Sequence, residues 1–203
     1  MDWLEKLKNK YPDLQNINFV NMHRYQAIER AVYQKVKEWR PNVIVELGHG
    51  GGSLTVAMGL ALKEVNPEGV IYSYDVSGVT DYNISGATSN ASMNIKERDL
   101  TEMVHFTEGD VFDTWIKNPC PFDLLLIDIN NEWNNLYSIV IANSFINNQI
   151  KKGAKVLIEG GDPTHPRINQ NTLDFFNNSC GEEIFTMKHL DGSGRTSISI
   201  LEI

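Results

Sequence analysis

The sequence predicts a three-layer α/β sandwich: a mostly parallel seven-stranded sheet with helices on both faces and an antiparallel strand near the C-terminus. Three observations predict it. Strand-like apolar runs alternate with helical patterns along most of the chain. The run Leu124-Leu125-Leu126-Ile127 is continuous rather than alternating, as in a strand buried on both faces. Two strand-like segments, Ile184–Lys188 and Thr196–Glu202, then follow one another without a helix between them, which suits an antiparallel edge.

The elements follow in order. Tyr25, Ile28, Val32, Val36 and Trp39 fall at helical spacing, and Pro41 ends that helix, so the segment of about residues 1–40 reads as an N-terminal helical portion. Val43–Leu47 is a buried strand. A helix over Leu54–Val65 with Ser53 as its N-cap leads through Asn66-Pro67-Glu68-Gly69 to a second strand, Val70–Tyr74. The polar stretch from Val76 to Ser92 is long for a connection and reads either as a lid or acceptor-binding loop or as a plain surface loop.

A short helix is expected around Met93–Met103, then strands at Val104–Thr107 and Phe122–Ile127. A helix over Leu136–Asn148 covers one face, and Lys152-Gly153-Ala154 turns into a fifth strand, Lys155–Ile158. A last helix lies near Gln170–Asn177. No linker-like tract or repeat divides the 203 residues, so one domain spanning 1–203 is expected.

Composition narrows the function. A hydrophobic share of 41% with 22% charged residues is that of a soluble globular chain. The net charge of -8 disfavours nucleic acid, whose binding depends on Lys and Arg neutralising phosphates. No apolar run is long enough to span a bilayer, and Met1–Lys6 lacks a signal-peptide core, so a cytoplasmic location without a membrane partner is expected. Cys120 and Cys180 fit no metal-ligand spacing and read as free thiols.

The chemistry is expected at the C-terminal ends of the strands, where sheets of this kind bind ligands. Glu46-Leu47-Gly48-His49-Gly50-Gly51-Gly52-Ser53 is a glycine-rich turn between a strand and a helix, where a backbone can approach a ligand closely. Asp75 ends the second strand, where a carboxylate can accept both hydroxyls of a ribose. A dinucleotide turn would read G-x-G-x-x-G, but the sixth position from Gly48 is Ser53. No Walker lysine follows the glycines either.

Four motifs in order, each at a strand end, resemble the class I S-adenosylmethionine-dependent methyltransferases, whose fold is a Rossmann-like sandwich. They are Val45–Gly52, Tyr74-Asp75, Glu108-Gly109-Asp110-Val111 and Phe122–Asp128, and the resemblance spans about residues 25–203. It implies that Glu46 and the turn Gly48, His49, Gly50 and Gly52 with Ser53 face the methionine portion of S-adenosylmethionine. It also implies Asp75 on the ribose, Asp110 and Val111 about the adenine, and Asp128 beside the sulfonium.

Size and strand pattern resemble the catechol-type O-methyltransferases, which implies a divalent metal such as Mg²⁺ between Asp128 and Glu159, lowering the pKa of an acceptor hydroxyl. The chain departs from that pattern: Gly160-Gly161-Asp162 follows Glu159 where the family has Asn, leaving Asp162 or Asn130 as substitutes. Without a metal, His165 in the loop Asp162–Arg167 is the candidate general base, its ordinary pKa being about 6.5. Tyr74, Tyr82 and Trp133 lie near strand ends as candidates for an apolar acceptor pocket.

Asp128-Ile129-Asn130-Asn131 replaces the Asn-Pro-Pro-Tyr-like element of adenine-N6 enzymes, which together with the acidic charge points to a small-molecule acceptor. Two other readings stay open. One is a non-catalytic S-adenosylmethionine binder; the other is an NAD-dependent oxidoreductase, opposed by the 27 positions between Gly48 and Asp75 where about 20 are expected. Proteins described as cephalosporin-hydroxylase-like share a similar glycine turn. A homodimer is the assembly left open.

Overall fold

The computed structural model describes residues 22–76, 87–111, 113–115, 117, 120–129, 150–159, 161–162, 165–166, 186–190 and 198–202. The expected helices Leu136–Asn148 and Gln170–Asn177, the chain before Met22, most of the Val76–Ser92 connection, and Tyr82, Asn130, Trp133 and Cys180 lie outside them.

Helix α1, Met22–Trp39, carries a buried stripe of Glu29, Val32, Tyr33 and Val36, the i, i+3, i+4, i+7 pattern of one face. It ends where Arg40 takes φ 51° before Pro41 and its N–H closes on the Val36 carbonyl at 2.9 Å. The stripe packs on α2, Ser53–Val65, and the Tyr33 hydroxyl donates to Glu64 Oε1 at 2.6 Å. Every residue of α2 from Leu54 to Leu62 is buried, as expected of a helix lodged between a sheet and other helices.

Strands β1 (Val43–Leu47), β2 (Val70–Asp75), β3 (Val104–Glu108), β4 (Phe122–Ile127) and β5 (Ile150–Glu159) run parallel in the order β3-β2-β1-β4-β5. Beyond β5, strand β9 (Ile198–Glu202) pairs antiparallel with β5, and β8 (Thr186–Leu190) antiparallel with β9. Ile44, Ile71, Leu124, Leu126 and Leu157 form one core with α2, each adding about 2 kcal/mol by burial. Val45, Leu47, Leu125, Ile127 and Val156, of opposite parity, are also fully buried, so both faces of the sheet are covered. No described helix is long and apolar enough to cross a membrane.

Three expectations need correction. Helix α3 runs Ala87–Lys96, not Met93–Met103. Asp99 at φ 55° breaks the helix, and Leu100 and Met103 reach the core from a turn. Ser53 is not the N-cap of α2: Gly52, at φ 82°, holds that place with no side-chain cap, so Ser53 becomes the first helical residue. Lys152-Gly153-Ala154 does not turn into β5 but lies within it. Gly153 at φ 84° accommodates the register shift between Phe122↔Ile150 and Leu124↔Lys155, a bulge rather than a turn.

Candidate functional site

The C-terminal ends of β1 to β4 are stitched together by backbone hydrogen bonds. The Gly48 N–H donates to the Tyr74 carbonyl at 2.8 Å, that of Asp128 to Leu47 at 2.8 Å, and that of Gly109 to Asp75 at 2.7 Å. Gly48 makes this closure sterically feasible. Its φ is +86°, and a Cβ there would lie 2.0 Å from the Asp128 carbonyl oxygen. Gly52 plays the same part toward α3, where a Cβ would meet Ala91 at 2.9 Å, and the Asn94 side-chain amide donates to the Gly51 carbonyl at 2.9 Å.

Asp75 holds the glycine turn directly. Its Oδ2 accepts the backbone N–H of His49 at 2.9 Å and of Gly50 at 2.7 Å. Among the described residues nothing bonds its Oδ1, which leaves an acceptor for a ligand hydroxyl. Gly50 itself, at φ +49°, faces open space.

Glu46 is completely buried. Its side chain points to the same face as Ser73 and Asp75, because the register sets Glu46 opposite Ser73 and strand side chains alternate. Its Oε2 accepts from Ser73 Oγ at 2.6 Å and Thr55 Oγ1 at 2.7 Å, joining β1, β2 and α2 beneath the turn, while Oε1 is buried with no partner among the described residues. Desolvation, opposed by the Ser73 and Thr55 hydrogen bonds and reinforced by the Asp75 charge, raises its pKa to about 7.

This carboxyl has a consequence for stability. In the fold it keeps its proton to about pH 7, whereas the ordinary value is 4.5. The folded form therefore binds more protons across that interval, and its contribution is fully present below the unfolded value and lost as pH rises through the folded one. Glu46→Gln is expected to remove this slope, gaining on wild type by up to about 3 kcal/mol between roughly pH 5 and pH 8. Urea titrations of both proteins at the two values measure it, and a constant offset between them contradicts a neutral Glu46.

His49 Nδ1 lies 2.9 Å from the Gly50 carbonyl. A carbonyl only accepts, so this ring nitrogen donates to it, and Nε2 is buried with no partner among the described residues. The ring packs edge-on against Phe106 with centroids 4.8 Å apart, within the core rather than on an open wall. Tyr74 is likewise a core residue, 8% exposed. Burial, with Cys120 beside its hydroxyl, pushes its pKa up to about 12.

The Asp110 carbonyl accepts from the N–H of Asp113 and Thr114 and from Thr114 Oγ1 at 2.8 Å, starting a turn with its own side chain exposed and Val111 buried. Asp128 is half-buried. The register Ile127↔Ile158 sets Asp128 and Glu159 at neighbouring strand ends. His165 lies on a two-residue strand, β7 (His165–Pro166), paired with β6 (Gly161–Asp162), Asp162 opposite His165. No group of three metal-binding side chains occurs among the described residues.

One buried carboxylate beside the turn escaped the sequence reading. Glu29 on α1 is 2% exposed and hydrogen-bonds Ser53 at the start of α2. Its pKa is raised to about 7 by desolvation, against the lowering effect of Ser53. The signal was its place on the apolar stripe with Val32, Tyr33 and Val36: a carboxylate on a buried face calls for a partner.

No protein-family model and no curated protein matches the sequence. Solved structures do match in backbone. The O-methyltransferase TomG of Streptomyces achromogenes, involved in tomaymycin synthesis and solved with S-adenosylmethionine, is 16% identical over 87% of this chain and 79% of its own, with a TM-score of 0.63. The chain has the methyltransferase fold. A Bacillus cereus O-methyltransferase in complex with S-adenosylhomocysteine shares this methyltransferase fold at a TM-score of 0.64, with 16% identity over 87% and 80% of the two chains. So does Podospora anserina methyltransferase PaMTH1, bound to S-adenosylhomocysteine, at 0.62 and 14% over 87% and 78%.

Proposed function

We propose that the chain, as a single domain over residues 1–203, transfers the methyl group of S-adenosylmethionine to an oxygen or nitrogen of a small-molecule acceptor. The observation that carries this reading is the grip of Asp75 Oδ2 on the amides of His49 and Gly50. It closes the turn over the strand ends and leaves the second carboxylate oxygen for a ribose hydroxyl. The resemblance of four motifs and the methyltransferase fold support it.

In this reading Glu46, the Gly48–Gly52 turn and Ser53 hold the methionine portion, Asp75 the ribose, and Asp110 and Val111 the adenine. Asp128 lies beside the sulfonium, a fixed positive charge that a ring of carboxylates favours. His49 takes part through its backbone, since its ring is packed on Phe106. The cofactor supplies an activated methyl, so the residues act by orienting the acceptor, excluding water and managing its proton.

That proton has two candidate handlers. Asp128 and Glu159, at neighbouring strand ends, would hold a divalent cation such as Mg²⁺ with Asp162 or Asn130 as a further donor, and lower the acceptor's pKa. Otherwise His165 takes the proton as a base. The net charge of -8 favours a small acceptor over a polyanion, and a cytoplasmic location is proposed with it.

Methyl-labelled S-adenosylmethionine, offered with a panel of phenols, catechols and amines, tests the reaction. Label in a small-molecule product supports it. Loss of transfer on adding EDTA, restored by Mg²⁺, assigns the carboxylate pair; indifference to EDTA with a loss of about a hundredfold or more in His165→Ala assigns the base. If the chain binds the cofactor but methylates nothing in the panel, it is a non-catalytic binder.

A further inference from the structure

Two carboxyls reach the first turn of α2 from different elements, and only one of them belongs to a strand-end motif. Glu46 comes from β1 and accepts from Thr55. Glu29 comes from α1 and hydrogen-bonds Ser53. Ser53 and Thr55, two residues apart on a helix, point to different sides of it, so the two acids flank the turn rather than duplicate each other.

Both have the same unfinished bonding. Glu46 Oε2 is held by the hydroxyls of Thr55 and Ser73, Glu29 lies beside Ser53, and Oε1 of Glu46 and Oε2 of Glu29 are each buried with no hydrogen-bond partner among the described residues. Exposure is 2% for Glu29 and zero for Glu46. A buried acceptor with an unused lone pair is costly, and a cationic N–H donor is the group that best relieves it. Desolvation raises both pKa values, and a cation placed beside these carboxyls would favour their ionised forms.

We infer that Glu29 is a binding residue for the amino-acid end of the ligand, its unpartnered oxygen accepting the α-ammonium from the α1 side as Glu46 does from the sheet side. The inference rests on the proposed cofactor. It extends the site beyond the strand ends to the helix that precedes β1. A substituent that keeps the amino group but is bound through Glu29 is thereby distinguished from a nucleoside that lacks it.

The test uses two ligands and a near-isosteric variant. S-adenosylhomocysteine carries the ammonium, and 5′-methylthioadenosine has the same nucleoside without the amino-acid end. Glu29→Gln keeps an acceptor for Ser53 and removes the charge. Calorimetry is expected to show about a tenfold or larger loss for S-adenosylhomocysteine and less than about a twofold change for 5′-methylthioadenosine. Glu29→Asp, which keeps the charge, retains most of the affinity, and serves where the glutamine variant does not fold.

Equal losses for both ligands overturn the inference, because Glu29 then only shapes the turn. Unchanged or tighter binding of S-adenosylhomocysteine in the glutamine variant overturns it as well. If wild type binds neither nucleoside, the cofactor reading fails first and this inference with it.

Discussion

Gly48→Ala is expected to leave little folded protein. A methyl group there would lie 2.0 Å from the Asp128 carbonyl oxygen and 3.2 Å from Ile129 Cγ2, on a backbone at φ +86°. The conformation alone costs an alanine about 1–2 kcal/mol. The contact with Asp128 is worse, because it sets backbone against backbone in a strand pair that also contains the Asp128-to-Leu47 hydrogen bond. A loss of roughly 4 kcal/mol or more follows, against total stabilities of about 5–15 kcal/mol. Gly50→Ala is the control: φ is +49° with nothing within 4 Å, so its cost is about 1 kcal/mol. Thermal melts of the two variants measure the contrast, and equal melting points refute the close approach.

Asp75→Ala is expected to have the largest effect on ligand affinity. It removes the acceptor of two backbone N–H groups and the ribose acceptor together. Stability falls by roughly 3 kcal/mol, or about 6–12 °C in a domain of this size, and cofactor affinity by more than about a hundredfold. Asp75→Asn separates the two roles. Its amide oxygen still accepts from His49 and Gly50, so the melting point falls by less than half as much, while affinity drops by about tenfold with the charge. Calorimetry beside differential scanning reads both quantities; an alanine variant that binds as wild type does removes Asp75 from the site.

Much of this arrangement is legible in the sequence, for identifiable reasons. The parallel strands announce themselves because Val43–Val45 with Leu47, and Leu124–Ile127, are apolar on both parities, as strands covered on both faces require. The turn is legible because close approach at Gly48 and Gly52 admits only glycine, and Asp75 because it ends a strand beside that turn. What the pattern hides is tertiary. Ser53 has the chemistry of an N-cap, but Gly52 takes that position in a left-handed conformation, and the Ser53 hydroxyl turns to Glu29. Ile95, Leu100 and Met103 are all buried, which resembles a helix in sequence although Asp99 interrupts it.

The role of Glu29 depends on how α1 lies against α2, a relation that no local pattern encodes. His49 shows the reverse case. Its place in the turn suggested a side chain facing the ligand, yet the ring is drawn onto Phe106, and the backbone N–H is the part that meets Asp75. The bulge at Gly153 likewise follows from pairing with β4, so a local reading takes its glycine for the end of a loop.

The central claim is that the Gly48–Gly52 turn, held by Asp75, receives S-adenosylmethionine. Titration of the wild-type chain in a calorimeter with S-adenosylmethionine, and separately with NAD, tests it most directly. One-to-one binding of S-adenosylmethionine with a Kd on the order of micromolar, about -8 kcal/mol, and no heat with NAD are expected. Binding of NAD in place of S-adenosylmethionine, or of neither, contradicts it.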